Sequence, residues 1–216
     1  MSILDTILET IFPQKCSCCG LSGKNLCSRC LSTCPQAERE TPPWVYPLFD
    51  YRHPPIKKII WLIKYSGKKR ILKDLAEILY ERIIEEYSEL KIMENFKNPI
   101  LIPVPLSKKR YKERGYNQAE FLCREIIKID ANKYLTLDTN ILFKNKETEH
   151  QAKIKDKSHR LRNLSGTFEI KTGINLKNKN IILIDDVTTT GATLTEAKKV
   201  LKNAGARKII AFTIAH

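Results

Sequence analysis

The 216-residue chain predicts an α/β protein, a parallel sheet flanked by helices, preceded by a small metal-bound N-terminal module. Three observations predict it. Short apolar strand-like runs alternate with helix-like segments through the last four-fifths of the chain. Paired cysteine knuckles crowd the beginning. The composition, 42% hydrophobic and 29% charged, suits a folded chain rather than a disordered one.

Residues 1–42 form the first unit. Ile3, Leu4, Ile7, Leu8, Ile11 and Phe12 recur at helical spacing, which predicts an amphipathic helix packed on the protein's own body and ended by Pro13. Asp5 and Glu9 interrupt the segment and no basic leader precedes it, so it does not read as a signal peptide. No run approaches the roughly 18 apolar residues that span a bilayer. No membrane insertion and a cytoplasmic location are expected.

Residues 43–216 form the second unit. Val45 to Tyr51 reads as a strand, Ile56 to Tyr65 as a helix, and Ile71 to Glu86 as a helix with Leu72, Leu75, Ala76, Leu79 and Ile83 on one face. Ile100 to Val104 is a short strand that prolines end, and Asn117 to Ile127 a helix. Strands are expected at Ile141 to Phe143, Thr167 to Ile170, Ile181 to Ile184 and Lys208 to Ile214, and a helix at Thr193 to Ala204. Gly205 stands where a helix C-cap wants a glycine. The polar, basic stretch from Lys144 to Arg162 has no period and reads as a loop.

Six of the seven cysteines lie between Cys16 and Cys34. A reducing compartment disfavours a disulfide framework, so metal binding is the default. Cys16, Cys19, Cys27 and Cys30 make two C-x-x-C knuckles, which present four thiolates to a tetrahedral zinc ion. Such a site has no open position and is structural; an iron–sulfur cluster is the alternative. Cys18 and Cys34 are alternative members of the ligand set, and Cys123 reads as core.

The segment from 181 to 193 carries the chemistry. Four apolar residues lead to Asp185 and Asp186, then Val187, Thr188, Thr189, Thr190, Gly191, Ala192 and Thr193 open a helix. A helix N-terminus offers unpaired N–H groups to a phosphate, and threonine hydroxyls add donors. Two carboxylates repel a bare phosphate. They suit the hydroxyls of an attached sugar, or Mg²⁺ held through water. The pattern therefore points to a ribose 5-phosphate.

This segment resembles the signature of type I phosphoribosyltransferases, in which an acidic pair meets the ribose of phosphoribosyl pyrophosphate. Ile102-Pro103-Val104-Pro105-Leu106-Ser107-Lys108 and Arg114-Gly115-Tyr116-Asn117-Gln118-Ala119 are similar to the ComF family of bacterial competence proteins. So are Thr148-Glu149-His150-Gln151, Arg160, Asn163, Phe168 and the opening knuckles. The resemblance implies a type I phosphoribosyltransferase-like sheet with an N-terminal zinc finger. It also implies a pyrophosphate loop from Leu106 to Arg110 and a flexible lid around Lys144 to Arg162. Ser107, Lys108, Lys109 and Arg110 join the ligand set by that likeness, and the three basic residues otherwise form a solvated turn.

Three functions remain open. One is phosphoribosyl transfer to an unidentified acceptor; no catalytic base is legible. Another, which the resemblance implies, is import or processing of single-stranded DNA in natural transformation. The third is a structural adaptor whose zinc module docks a partner such as the competence helicase that the family suggests. The formal charge of +14 attracts polyanions, and Tyr65, Tyr111 and Tyr116 stand beside cations that suit base stacking.

Overall fold

The computed structural model describes residues 15–16, 18–37, 41–145 and 166–216. The helix expected over Met1–Phe12, the Thr148–Gln151 motif, Arg160 and Asn163 lie outside these residues.

Five parallel strands form the central sheet in the order β1-β7-β6-β2-β3. They are β1 (Val45–Phe49), β2 (Ile100–Pro103), β3 (Thr136–Leu137), β6 (Asn180–Val187) and β7 (Lys208–Ala215). The helices are α1 (Ser28–Ser32), α2 (Pro54–Tyr65), α3 (Lys69–Glu94), α4 (Lys108–Arg114), α5 (Gln118–Ile129) and α6 (Ala192–Asn203).

Alternate residues of β6 feed two separate cores, as the two-residue period of a strand requires. Ile182 and Ile184 pack with Leu72, Leu75 and Ile83 of α3 and with Leu122 and Ile126 of α5. Ile181 and Leu183 pack on the opposite face with Leu194, Ala197 and Leu201 of α6. Truncating any of these buried leucines or isoleucines to alanine costs about 2–5 kcal/mol.

Several element boundaries differ from the sequence reading, each for a physical reason. Helix α3 runs past Glu86 to Glu94, because Tyr87 continues its buried stripe. It ends at Asn95, whose left-handed backbone (φ 51°) suits an asparagine C-cap. The turn expected over Leu106 to Arg110 gives way at Lys108 to helix α4, which runs to Arg114. Its sequence KKRYKER buries no residue, so no apolar period betrays it. Strand β3 is only two residues long and was not expected.

The expected strands near 141 and 167 are β4 (Leu142–Lys144) and β5 (Phe168–Ile170). They pair antiparallel in their own two-stranded sheet, apart from the main one. Gly205 follows the C-cap of α6 at φ 95°, and a Cβ there would stand 3.2 Å from the Lys177 backbone. Among the described residues, no helix is long and apolar enough to cross a membrane.

Candidate functional site

From β2 the chain moves outward to β3, whereas from β6 it moves the other way to β7. The reversal lies between β2 and β6, where neighbouring loops part and leave a crevice at the strands' carboxyl ends. A cavity of about 300 Å³ opens there. Val104, Pro105, Leu106 and Ser107 line one wall, and Asp185, Asp186, Val187, Thr189 and Thr193 line the facing one. Lys64, Arg110, Arg114 and Lys144 reach it from α2, α4 and β4.

The two carboxylates occupy different surroundings. Asp186 is buried, with one carboxylate oxygen 3.2 Å from Lys64 Nζ and 3.6 Å from Arg114 Nη1. Asp185 is only part-buried, and its Oδ1 accepts the Asp186 backbone N–H at 2.8 Å. Burial, and then the neighbouring Asp186 charge, push the Asp185 carboxyl up to about 7. On the opposite side of the cavity, burial and the Arg110 charge bring the Lys144 ammonium down to about 8. Four cations therefore surround two carboxylates, one of which is reluctant to ionise. That balance suits an anion carrying hydroxyl donors.

The Arg114–Ala119 segment assembles this arrangement. Arg114 donates to Gln118 at 2.9 Å while pairing with Asp186. Gly115 ends α4 in the left-handed region, and Asn117 caps α5 by accepting the Ala119 N–H. Asn117 also donates to the Val104 carbonyl at 3.0 Å, tying α5 to the end of β2. Tyr116 is buried and donates to the Ile63 carbonyl at 2.6 Å. It locks α2 beside the cavity, and its ring is not available for base stacking.

Of the residues assigned from sequence, Asp185, Asp186, Val187, Thr189, Thr193, Ser107 and Arg110 line the cavity together. Thr188 instead bonds back to the sheet, its N–H donating to the Ala215 carbonyl at 3.0 Å. Thr190 accepts the Ala192 N–H, and Gly191 caps α6 at φ 71°. Lys108 and Lys109 are exposed on α4, outside the cavity lining, while Ser107 caps that helix. From sequence, Lys64 and Arg114 have no role at the site, and Lys144 reads as the start of the lid loop, whereas Lys144 ends β4 and lines the cavity. Helical phase places Lys64 apart from buried Ile56, Ile59, Ile60 and Ile63, a faint signal without knowledge of what α2 faces.

A second cluster lies in the N-terminal module. The sulfurs of Cys16, Cys19, Cys27 and Cys30 all lie within 4.8 Å of one another. Cys19 and Cys27 Sγ are 3.6 Å apart, far beyond a disulfide and close to the ~3.8 Å edge of a tetrahedron with 2.3 Å metal–sulfur bonds. Burial raises the Cys16 thiol, but N–H groups of Cys27, Cys19 and Cys18 outweigh it and bring the value to about 6. Cys34 donates its S–H to the Cys30 carbonyl, and Cys18 is outside the cluster. The four knuckle cysteines can hold a metal ion. Cys123 is fully buried in α5 and belongs to the core.

Comparison with known proteins agrees with this architecture. Residues 71–216 match the phosphoribosyl transferase domain. The chain is 26% identical over 208 residues to the DNA utilization protein YhgH of Escherichia coli O157:H7, covering 93% of this chain and 82% of that one. It is 29% identical over 202 residues to competence protein F of Haemophilus influenzae, with 88% and 81% covered. With competence protein ComFC of Streptococcus pneumoniae it shares 34% identity over 154 residues, 70% of this chain and 59% of the relative. The chain therefore belongs to the phosphoribosyl transferase domain family, and its relatives there are competence and DNA-utilization proteins of the ComF type.

Proposed function

We propose that the chain binds phosphoribosyl pyrophosphate, or a related ribose 5-phosphate, with Mg²⁺ in the crevice between β2 and β6. We further infer that it serves the uptake or processing of single-stranded DNA in natural transformation. The observation that carries the first part is the pairing of adjacent carboxylates with four cations around one cavity. Asp185 and Asp186 would accept the ribose hydroxyls, or hold Mg²⁺ through water; a cation or hydroxyl donors would relieve the crowding that raises Asp185. The Thr189–Thr193 turn and the α6 N-terminus would supply N–H and hydroxyl donors for the 5-phosphate. Ser107, Arg110 and Lys144 face the remaining phosphates, and exposed Lys108 and Lys109 draw the anion in. Mg²⁺ would supply charge neutralisation for the pyrophosphate.

In the N-terminal module, Cys16, Cys19, Cys27 and Cys30 are proposed to hold a structural zinc ion. The residues fit it, since four thiolates this close repel one another without a cation. Residues 1–42 then constitute the zinc module and 43–216 the phosphoribosyl-binding domain. The reading places the protein in the cytoplasm, with a competence helicase as a partner.

The DNA part rests on the named relatives and on the +14 charge. A transformation assay in a deletion strain tests it: wild type restores transformation, and a chain with Asp185→Asn and Asp186→Asn does not. Equal rescue by both would detach the site from the process. The family also favours a second reading, active phosphoribosyl transfer to an unknown acceptor. Pyrophosphate release that needs an added acceptor would establish it; none across a broad panel would leave a binding role.

A further inference from the structure

We propose that Trp61 and Tyr65 form a stacking shelf for an unpaired nucleobase, at the wall of the same cavity that takes the phosphoribosyl ligand. The inference rests on the phosphoribosyl reading for the cavity's second occupant, though not for the shelf itself.

The aromatic pair is placed by α2. Trp61, Lys64 and Tyr65 fall at i, i+3 and i+4, one stripe of the helix, and all three line the cavity. Ile56, Ile59, Ile60 and Ile63 are buried in the core that α2 shares with α3, so the stripe stands on a rigid support. The Tyr116 hydroxyl fixes α2 further through Ile63. Yet Trp61 is 56% exposed and Tyr65 62%, large apolar faces left uncovered at a cavity wall. Their ring centroids are 6.0 Å apart with planes at 43°, an angled pair offering ring faces for stacking.

The surroundings select the guest. Lys64 sits between the two rings in sequence and pairs with Asp186, so the shelf adjoins the acidic pair. An apolar protein side chain docking here would desolvate Lys64, Arg110 and Asp185 without pairing them. A nucleobase has a π face for the rings and a polar edge, and its attached phosphates meet the cations. Among the other described aromatics, Tyr51 also lines the cavity but is part-buried against the core. Tyr116 is buried, Lys198 Nζ lies 3.9 Å from the Trp44 ring centroid, and exposed Tyr111 is not part of the cavity lining. The base can come from a single strand or from a free base or nucleoside acting as acceptor. Both share the stacking chemistry, and the test separates them.

Metal-loaded full-length protein is titrated with a labelled oligothymidylate, an abasic strand of equal length and charge, and free nucleosides beside phosphoribosyl pyrophosphate. The strand label and calorimetry report affinity in every variant, and quenching shown by wild type but not by Trp61→Phe, which keeps Trp44, reports stacking on Trp61. Base–aromatic stacking of about 1–3 kcal/mol predicts that Trp61→Ala with Tyr65→Ala weakens nucleobase binding roughly tenfold or more. Trp61→Phe keeps binding within about threefold and shows that the double variant's loss is one of ring stacking. A strand as the source predicts that the abasic strand binds wild type as weakly as the oligothymidylate binds the double variant. A free acceptor as the source predicts saturable quenching by nucleoside while the two strands bind alike. Unchanged affinity for both strand and nucleoside in the double variant would overturn the shelf. Phosphoribosyl pyrophosphate, titrated on the same proteins, is the reference: the nucleobase loss exceeds any loss there by about tenfold. Intact oligonucleotide stacking with no phosphoribosyl binding would sink the cavity reading alone.

Discussion

Asp185 and Asp186 are adjacent in sequence, yet one meets a lysine and an arginine while the other faces the cavity beside its neighbour's charge. The consequence for Asp185 is a pH-dependent stability. Its carboxyl titrates near 7 in the folded chain, above the usual ~4 of an unfolded aspartate. The native state therefore binds the proton more tightly. Its charged form costs stability fully above about pH 7, and the cost fades as pH falls toward 4. Asp185→Asn keeps the Oδ1 acceptor for the Asp186 N–H and removes the charge. It should raise Tm by roughly 5 °C at pH 8 and by less than half of that at pH 5. Thermal melts across that range check it, and an equal shift at both pH values would refute the electrostatic cause. On the proposed reading, a ligand's hydroxyls or a cation would satisfy what the fold leaves crowded at Asp185.

At the scale of elements, the cysteine module is a brace on the α/β domain. Leu26 is fully exclued from solvent in the core shared by α2 and α3, and its N–H donates to Asp74 Oδ2 on α3 at 3.3 Å. Gln36 bridges to Phe49 of β1, and the Asp50 N–H donates to the Pro35 carbonyl. Losing the metal should therefore loosen the edge of the main domain as well as the knuckles. The purified chain should carry one zinc per molecule, and chelation should lower Tm on the order of 10 °C. Elemental analysis and a melt with and without chelator check this. A metal-free preparation with the same Tm would contradict it.

Legibility in the sequence also divides by element. Strand β6 announces itself because Ile181–Ile184 is apolar on both faces, as a strand sandwiched between helices must be. The acidic pair and the glycine cap are local in sequence and were readable for that reason. Helix α4 was unreadable because it buries nothing. Lys64 was unreadable because its partner Asp186 is brought to it only by the packing of α2 against the sheet. Arg114 could be quoted as part of a motif, but its pairing with Asp186 needs α4 and β6 side by side.

Over the whole molecule, a parallel sheet makes a crevice where its strand order reverses, and this chain gathers its chemistry there. One wall comes from the end of β2, another from the end of β6, and α2 contributes Lys64 and two aromatic rings. The excess of positive charge over the chain draws anions toward it, and this long-range attraction weakens with added salt. The central claim is that the acidic pair and the facing cations form one phosphoribosyl site. Calorimetric titration with phosphoribosyl pyrophosphate and Mg²⁺ tests it most directly. The account predicts saturable binding at one ligand per chain, weakened at least tenfold by Asp185→Asn together with Asp186→Asn in a variant that still melts cooperatively. No binding by the wild type, or equal binding by the folded double variant, would contradict it.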